Sequence, residues 1–195
     1  MTLAYIVRCT FKEPSREDAW NSWYSGPKLK QMLSKPHFLT GQRFHRVAGE
    51  GREYVAFWTL ASEQAFTTPE YTTDWGFFEW APYIGDWSRD LFEGVESDVA
   101  APKLSDGQLL RIVSCEGLSS EEADAAKASV EAGGLNLTWL RSVGLDRHTA
   151  LLGFGIVNEG RPSATLPAGM RAADATYRPI SILARSESGQ ALEPA

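Results

Sequence analysis

Cysteine is scarce in this chain of 195 residues: there are two, Cys9 and Cys115, 106 positions apart. Two cysteines are too few for the disulfide framework of a small secreted protein, so we expect reduced thiols and a cytoplasmic protein. The first dozen residues have neither the basic start nor the apolar stretch of a secretory signal. No apolar run approaches the roughly 18 residues of a membrane-spanning helix.

Positive charge and metal-binding patterns are also lacking. Nineteen basic residues stand against twenty-five acidic ones, a net charge of -6 that disfavours nucleic acids and anionic membranes as partners. The three histidines form no pair four residues apart, and neither Cys-x-x-Cys nor a calcium-loop pattern occurs. No glycine-rich phosphate loop follows a strand. We therefore expect no metal and no cofactor.

Aromatic residues are abundant but confined to one half of the chain. Nineteen of the twenty-two precede residue 93. The polar segment ESDVAAPKLSDG, residues 96–107, follows this region and has the composition of a linker. We predict an aromatic-rich repeat over 1–95, a linker over 96–107, a degenerate repeat over 108–185 and a flexible tail over 186–195.

Both halves show the same order of elements. Apolar patterning, caps and turns predict a strand, a helix, a hairpin, a second helix and a closing strand in the first half. The second half repeats this plan, but its second helix is shortened or lost between Asn158 and Arg178, and its closing strand is predicted at Ile180–Ala184. At an offset of 106, Ile6-Val7-Arg8-Cys9 aligns with Ile112-Val113-Ser114-Cys115. These matches favour an internal duplication.

This element order predicts an α+β fold made of two tandem ferredoxin-like β-α-β-β-α-β repeats. Each repeat would form a four-stranded antiparallel sheet with helices on one face. The strands Leu3–Val7 and Tyr54–Trp58 are apolar on both faces, so the second face must also be covered. Packing the two sheets face to face gives an intrachain α+β barrel.

A stretch of the first half resembles a known family. The segments WYSGPKL (23–29), ML (32–33), PHFL (36–39) and QRF (42–44) are similar to the W-Y-x-x-E-H-L…L-L…P-G-F…R-R-[FY] pattern of dimeric α+β barrel proteins, of the EthD-like and stress-responsive types. The resemblance covers about the first 95 residues. It implies the ferredoxin-like barrel, in relatives whose activities range from cofactor-free oxygenation and isomerisation to haem binding.

The chain departs from that pattern at the positions with acid-base chemistry. Pro27-Lys28 stands where the family has Glu-His, and His37 replaces its glycine. The family histidine therefore has no counterpart here. The departure favours, as an alternative, a protein that binds or interacts without catalysis.

Arg43 and His45 are the predicted catalytic pair. Alternation places both on one side of a strand. If that side faces the barrel interior, His45 is the best general base, since its ordinary pKa is near neutrality, and Arg43 can hold an anion. The alternatives are a polar strand edge facing solvent, or a histidine hydrogen-bonded in the barrel seam.

Arg8 interrupts an apolar strand, and a buried charge there needs a partner. Asp74, Glu79 and Asp86 are the candidates. The same arginine is a predicted substrate-binding residue.

The remaining predicted substrate-binding residues are aromatic. So many rings in under 100 residues indicate an apolar ligand pocket, an inter-chain surface or a bulky core. The predicted binding set is Trp20, Tyr24, Tyr54, Trp58, Trp75 and Trp80.

Together these features predict a cofactor-independent enzyme acting on a small hydrophobic or aromatic molecule. Its chemistry would be proton transfer, as in an isomerase, cyclase or lyase, or oxygenation. A non-catalytic binding protein and a haem-binding barrel are the alternatives. The unequal halves and the aromatic segment Trp75–Trp87 also predict a homodimer.

Overall fold

The computed structural model describes residues 1–160 and 165–190. Its strands are β1 Leu3–Phe11, β2 Phe38–Gly49, β3 Tyr54–Leu60, β4 Ile84–Gly94, β5 Gln108–Glu116, β6 Thr138–Leu145, β7 Thr149–Asn158, β8 Ala173–Pro179 and β9 Ala184–Arg185. Its α-helices are α1 Glu17–Trp23, α2 Leu29–Leu33, α3 Pro69–Thr72, α4 Ser120–Ala132 and α5 Glu187–Gln190. A π-helical turn, Tyr24–Lys28, joins α1 to α2, and 3-10 helices cover Pro14–Arg16, Glu63–Thr67 and Phe78–Tyr83.

Eight of the strands close into an antiparallel barrel. Their order is β3-β1-β4-β6-β7-β5-β8-β2, and β2 pairs again with β3, while β9 lies against β2. Strands β4 and β6 make one contact between the halves of the chain, and β2 and β8 make the other. The predicted α+β fold with an intrachain barrel is confirmed. Within each half the strands pair in the same order, second-third-first-fourth.

Residues of both halves fill the barrel. Its interior cluster includes Ile6, Phe57, Leu110, Leu152 and Phe154, all buried. The opposite face of β1 and β3 lies under the helices of the first half, and α4 covers the corresponding face of β5 and β7. Strands that are apolar on both faces therefore have a core on each side.

The second half differs from the prediction at its closing strand. The strand is β8, Ala173–Pro179, and the expected strand at Ile180–Ala184 is wrong. Only Ala175 and Tyr177 of β8 are buried, so its mostly polar sequence gives a weak hydrophobic signal. No helix lies between β7 and β8 in the part of that segment that the structure describes.

The first half also has less regular helix than predicted between β3 and β4. Pro69 begins α3, and Pro82 lies in the following 3-10 helix. A proline removes an N–H donor and prevents a continuous helix, so this segment consists of short turns. These turns carry aromatic residues, among them Phe66, Tyr71 and Phe77, that pack on the helix-covered face of the sheet.

The last described residues are ordered against the barrel. The Ser186 N–H donates to the Leu39 carbonyl, and α5 begins at Glu187, within the segment predicted to be a tail. Residues 191–195 of that segment lie outside the described residues. No described helix has the length and apolar character needed to cross a membrane.

Candidate functional site

Strand alternation decides which core each side chain of the first sheet enters. Phe44 of β2 points into the barrel, whereas Arg43 lies on the other face, beneath α1 and the π-helical turn. The predicted pair Arg43 and His45 does share one face, but that face is covered by helices and is not the barrel interior.

Arg43 is fully buried, with 1% of its surface exposed. Its guanidinium donates to the Asn21 side-chain oxygen (2.9 Å), the Asn21 carbonyl (3.2 Å) and the Ser25 hydroxyl (3.0 Å). The rings of Trp20 and Tyr24 lie 4.6 and 4.2 Å from its carbon Cζ. Cation–π contacts of this kind favour a desolvated guanidinium.

No carboxylate among the described residues forms an ion pair with Arg43. Burial lowers the pKa of Arg43 to about 10, which still leaves the group charged at neutral pH. Its surroundings are therefore aromatic rings and neutral oxygen acceptors. Buried charges in proteins are usually paired, so an unpaired buried cation of this kind suits an anionic partner.

A second cation, Lys28, lies on the same side of the sheet. Its side chain is buried, and the Nζ donates to the Gln31 side-chain oxygen (2.9 Å) and lies 4.7 Å from the centre of the Phe78 ring. Lys28 ends the π-helical turn that contains Pro27, and π-turns inside helices are frequent at functional sites. Burial lowers the pKa of Lys28 to about 8.

Two adjoining cavities lie between the sheet and these helices, and we call them together the aromatic cleft. One is lined by Tyr5, Val7, Tyr24, Lys28, Met32, Trp58, Tyr71, Trp75, Gly76, Phe77 and Trp87. The other is lined by Val7, Cys9, Trp20, Tyr24, Arg43, Tyr54, Val55, Ala56 and Phe77. Their free volumes are about 30 and 10 Å³, so each has room for little more than a water molecule.

The polar groups of the aromatic cleft are mostly donors. Among the described residues, no aspartate or glutamate lines either cavity. The indole N–H groups of Trp20 and Trp58 are buried and have no acceptor among the described residues. Burial also raises the pKa of Cys9 to about 12, so its thiol stays protonated. This arrangement suits an anionic group on an aromatic or other apolar ligand.

The predicted aromatic residues divide into inner and outer members. Trp58 is fully buried and packs so closely on Gly41 that a side chain there would overlap its ring. Trp75 is 39% exposed and stacks on Tyr71 at the mouth of the cleft. Trp80 is partly buried against Phe11, outside both cavities. Five of the six predicted aromatic binding residues thus line the cleft.

His45 lies beside the aromatic cleft without lining it. Its ring is 4.8 Å from that of Tyr54, which separates it from Arg43's cavity. The Tyr54 hydroxyl in turn donates to Glu17. His37 lines an open surface groove and His148 is exposed. No histidine is therefore placed to bind haem in the cleft.

Arg8 belongs to a different environment, at one mouth of the barrel. Its guanidinium donates to Asp90 (3.0 Å) and Thr149, and lies 3.5 Å from Glu116. The expected partners Asp74 and Glu79 are wrong because Arg8 points into the barrel, whereas both precede β4 on the outer, helix-covered side. Asp86 pairs with Arg52 instead.

Arg52 completes this polar mouth. It forms two hydrogen bonds of 2.6 Å to the Glu116 carboxylate and one of 2.5 Å to the Asp86 carbonyl. Burial opposes ionisation of Glu116, but the Arg52 hydrogen bonds and the charge of Arg8 outweigh it, so the pKa of Glu116 is lowered. The substrate-binding role predicted for Arg8 thus falls outside the aromatic cleft.

Lys28 and Asn21 are site residues that the sequence patterns do not predict. A usable signal existed for Lys28, since it lies four residues from both Tyr24 and Met32 and so shares their buried helix face. Asn21 had no comparable signal. It lies one residue from Trp20 on a helix whose neighbouring positions are largely exposed.

No protein-family model matches the sequence, and no curated protein matches it. Solved structures do. The chain is similar to an anthrone oxidase-like protein, with 10% identity over 99% of this chain and 97% of that one, and a TM-score of 0.64. It is also similar to a provisionally assigned monooxygenase from Lactobacillus acidophilus NCFM, with 10% identity over 95% and 97% of the two chains and a TM-score of 0.52.

A mutant chlorite dismutase from Candidatus Nitrospira defluvii shares the architecture at a similar level, with a TM-score of 0.51 and 7% identity over 92% of each chain. At such identities the likeness concerns the fold alone. The chain therefore has the α+β barrel fold of monooxygenase-like and chlorite dismutase-like proteins.

Proposed function

We propose that the protein is an enzyme that oxygenates a small aromatic molecule in the aromatic cleft, through an anion formed by loss of a proton from the substrate. The observation that carries the proposal is the pair of buried cations, Arg43 and Lys28, that line an aromatic cleft with no acidic residue. The anthrone oxidase-like and monooxygenase neighbours support the reaction class.

Arg43 has the role of anion holder. Its guanidinium is held by Asn21 and Ser25, so it is already oriented before a ligand binds. In a site that excludes water, such a fixed cation stabilises an enolate or phenolate as its charge develops. Trp20, Tyr24 and Tyr54 provide flat apolar surface for the rings. His45 lines neither cavity, so this proposal gives it no proton-transfer step.

Ligand entry requires the aromatic cleft to widen. A cavity that holds benzene measures on the order of 150 Å³, well above the present free space. Trp75 and Trp87 line the mouth and are 39% and 42% exposed. Gly76 lies between Trp75 and Phe77 with a φ of 99°, in a region open enough that no atom lies near its missing side chain. Rotation of these exposed rings is the movement that we propose admits the substrate.

Anthrone is a suitable first substrate for a test. Loss of one proton from its methylene carbon leaves an electron pair on that carbon, which can add to dioxygen. Anthrone and dioxygen then give anthraquinone and water. We expect air-dependent formation of anthraquinone without added metal or cofactor. The Arg43→Gln variant should lose about 100-fold in kcat/KM.

Arg46→Gln is the matched control, because Arg46 is on the same strand but its side chain, within the described part of the chain, donates only to the Gly49 carbonyl at the hairpin end. The control should keep wild-type activity. Turnover by Arg43→Gln at the wild-type rate would contradict the role of Arg43. Binding of aromatic anions without turnover of any substrate would favour the alternative of a non-catalytic binding protein.

We also propose that the two halves are tandem repeats of one ferredoxin-like unit, of the EthD-like type that the first half resembles. Each half pairs its strands in the same order, and Arg8 and Ser114, at equivalent positions, line the same polar mouth. Fusion of two units in one chain would supply the face-to-face packing that a single unit obtains by dimerising.

A further inference from the structure

We propose that Lys28 is the base that removes the proton from the substrate in the aromatic cleft, a step that rests on the proposed function. The neutral Nζ accepts the substrate proton and becomes an ammonium. The electron pair of the broken bond stays on the substrate, as the anion that Arg43 holds. Lys28 returns to its neutral form by releasing the proton to water.

Lys28 lies next to Arg43 within the aromatic cleft. It lines the cavity that adjoins that of Arg43, and both cavities are bordered by Val7, Tyr24 and Phe77. A ligand spanning these shared residues would contact a cation at each end. Lys28 is the one of the two that can lose its proton near neutral pH, because a guanidinium remains protonated.

Gln31 and Asp74 hold the Lys28 amine in a fixed orientation. The Gln31 side-chain oxygen accepts one of its N–H groups, and the Gln31 amide nitrogen donates to Asp74 (2.5 Å). Asp74 thus fixes the orientation of the Gln31 amide. A neutral amine that gives one hydrogen to Gln31 still has a lone pair free for the substrate. Asp74 and Gln31 are positioning residues in this account.

Lys28 has no counter-ion among the described residues. The Asp74 carboxylate lies 3.5 Å from Lys35 Nζ, and no ion pair to Lys28 occurs among the described residues. Desolvation is the largest cause that lowers the pKa of Lys28, the charge of Lys35 adds to it, and Asp74 opposes both. The ammonium is therefore disfavoured to the degree that a base working near pH 8 requires.

Three titratable groups that line the aromatic cleft, Tyr5, Tyr24 and Cys9, do not compete for this role. Burial raises the pKa values of Tyr5 and Tyr24 above the ordinary range, and that of Cys9 to about 12. These three groups hold their protons at pH 8. The titratable groups that face Lys28 from the elements packed against it are Tyr24, Lys35, Tyr5, Tyr71 and Asp74.

The first experiment needs no turnover. Lysine labelled with ¹³C and ¹⁵N reports each ammonium by NMR, and the signal lost in Lys28→Arg is that of Lys28. We expect its titration midpoint near pH 8, well below the ordinary lysine value of 10.5. Adding 2-naphthoate should raise the midpoint of Lys28, because a bound anion stabilises the ammonium, whereas the uncharged 2-naphthamide should not.

The second experiment uses dioxygen consumption with the substrate of the proposed reaction. Lys28→Arg keeps the positive charge but provides no base, so we expect 2-naphthoate affinity within about threefold of wild type and kcat reduced by about 100-fold or more. Lys30→Arg is the matched control and should behave as wild type. Methylamine added to Lys28→Ala should restore part of the lost rate, with a dependence on the concentration of the neutral amine.

The outcomes separate the two proposals. Full activity of a folded Lys28→Arg, or a Lys28 midpoint near 10.5 that 2-naphthoate does not move, overturns the role of Lys28 while leaving the aromatic cleft as the site. Failure of the wild type to bind 2-naphthoate overturns the proposed function itself.

Discussion

Two buried arginines in the first half of the barrel, Arg8 on β1 and Arg43 on β2, have surroundings of opposite charge character. Arg8 points into the barrel and meets carboxylates, Asp90 at 3.0 Å and Glu116 at 3.5 Å. Arg43 points beneath the helices and meets rings and neutral acceptors. These two carboxylates neutralise the charge of Arg8 within the protein. Arg43 has no carboxylate partner among the described residues, and this difference supports our proposal that the aromatic cleft takes an anionic ligand.

The largest effect should come from removing the two arginines in turn. Arg8→Met leaves Asp90, fully buried, without its counter-ion, and should cost about 3–5 kcal/mol of unfolding free energy. Arg43→Met leaves no carboxylate without its counter-ion and replaces a desolvated charge by an apolar side chain. We therefore expect a loss of about 1 kcal/mol or less of unfolding free energy. Urea unfolding at pH 7 measures both. Equal losses would mean that the two environments do not differ as described.

A double variant sharpens the same comparison. In Arg8→Met with Asp90→Asn, the uncompensated charge is gone, while the amide oxygen can still accept from the His148 N–H. We expect the double variant to be more stable than Arg8→Met alone.

The next effect concerns Lys28 and alkaline pH. The pKa of Lys28 is lowered to about 8 in the folded state, so between pH 8 and 10.5 the unfolded chain binds more protons than the folded one. The stability of the wild type relative to Lys28→Met should therefore rise over this window, by on the order of 1–2 kcal/mol. Chemical denaturation at pH 7.5 and at pH 10 tests this. A constant difference would contradict the burial of the charge.

Much of this arrangement follows from the sequence, and some of it does not. Strands apolar on both faces predicted a sheet with both of its faces buried. The alternation of side chains along β2 placed Arg43 and His45 on the same face of the strand. The sequence could not show whether the face with Arg43 and His45 is the barrel interior or the helix-covered side. Both faces of the strand are buried, so neither is marked by a row of polar residues. The partners of Arg8 come from β4, β5 and β7, so they depended on barrel closure, which no local pattern encodes.

A smaller, opposite pH effect is expected at the barrel mouth. The pKa of Glu116 is lowered, so the stability it contributes is present above the unfolded pKa and is lost as the pH falls through the folded value. Glu116→Gln should cost about 1 kcal/mol at pH 7, since the side chain is 35% exposed, and the cost should disappear in acid. Thermal unfolding at pH 7 and pH 3 measures the change. A cost that is the same at both pH values would rule out the ionised pairing.

The smallest effect concerns assembly. We propose a homodimer in which the aromatic segment Trp75–Trp87 contributes to the contact through Phe78, which is 46% exposed, while the rings of Trp75 and Trp87 stay free at the mouth of the aromatic cleft. Sedimentation at micromolar concentration should give twice the chain mass of 21.5 kDa, and Phe78→Ser should shift the equilibrium toward monomer. A single 21.5 kDa species for the wild type would show that the barrel is complete by itself.

Calorimetric titration at pH 7 with 2-naphthoate and its uncharged isostere 2-naphthamide tests whether the charge of Arg43 is available to a ligand. The wild type should prefer the anion at least about tenfold, equivalent to about 1.4 kcal/mol. Arg43→Gln should lose most of that preference, while Arg46→Gln should retain it. Equal affinity of the wild type for the two compounds, or a preference unchanged in Arg43→Gln, would contradict the account.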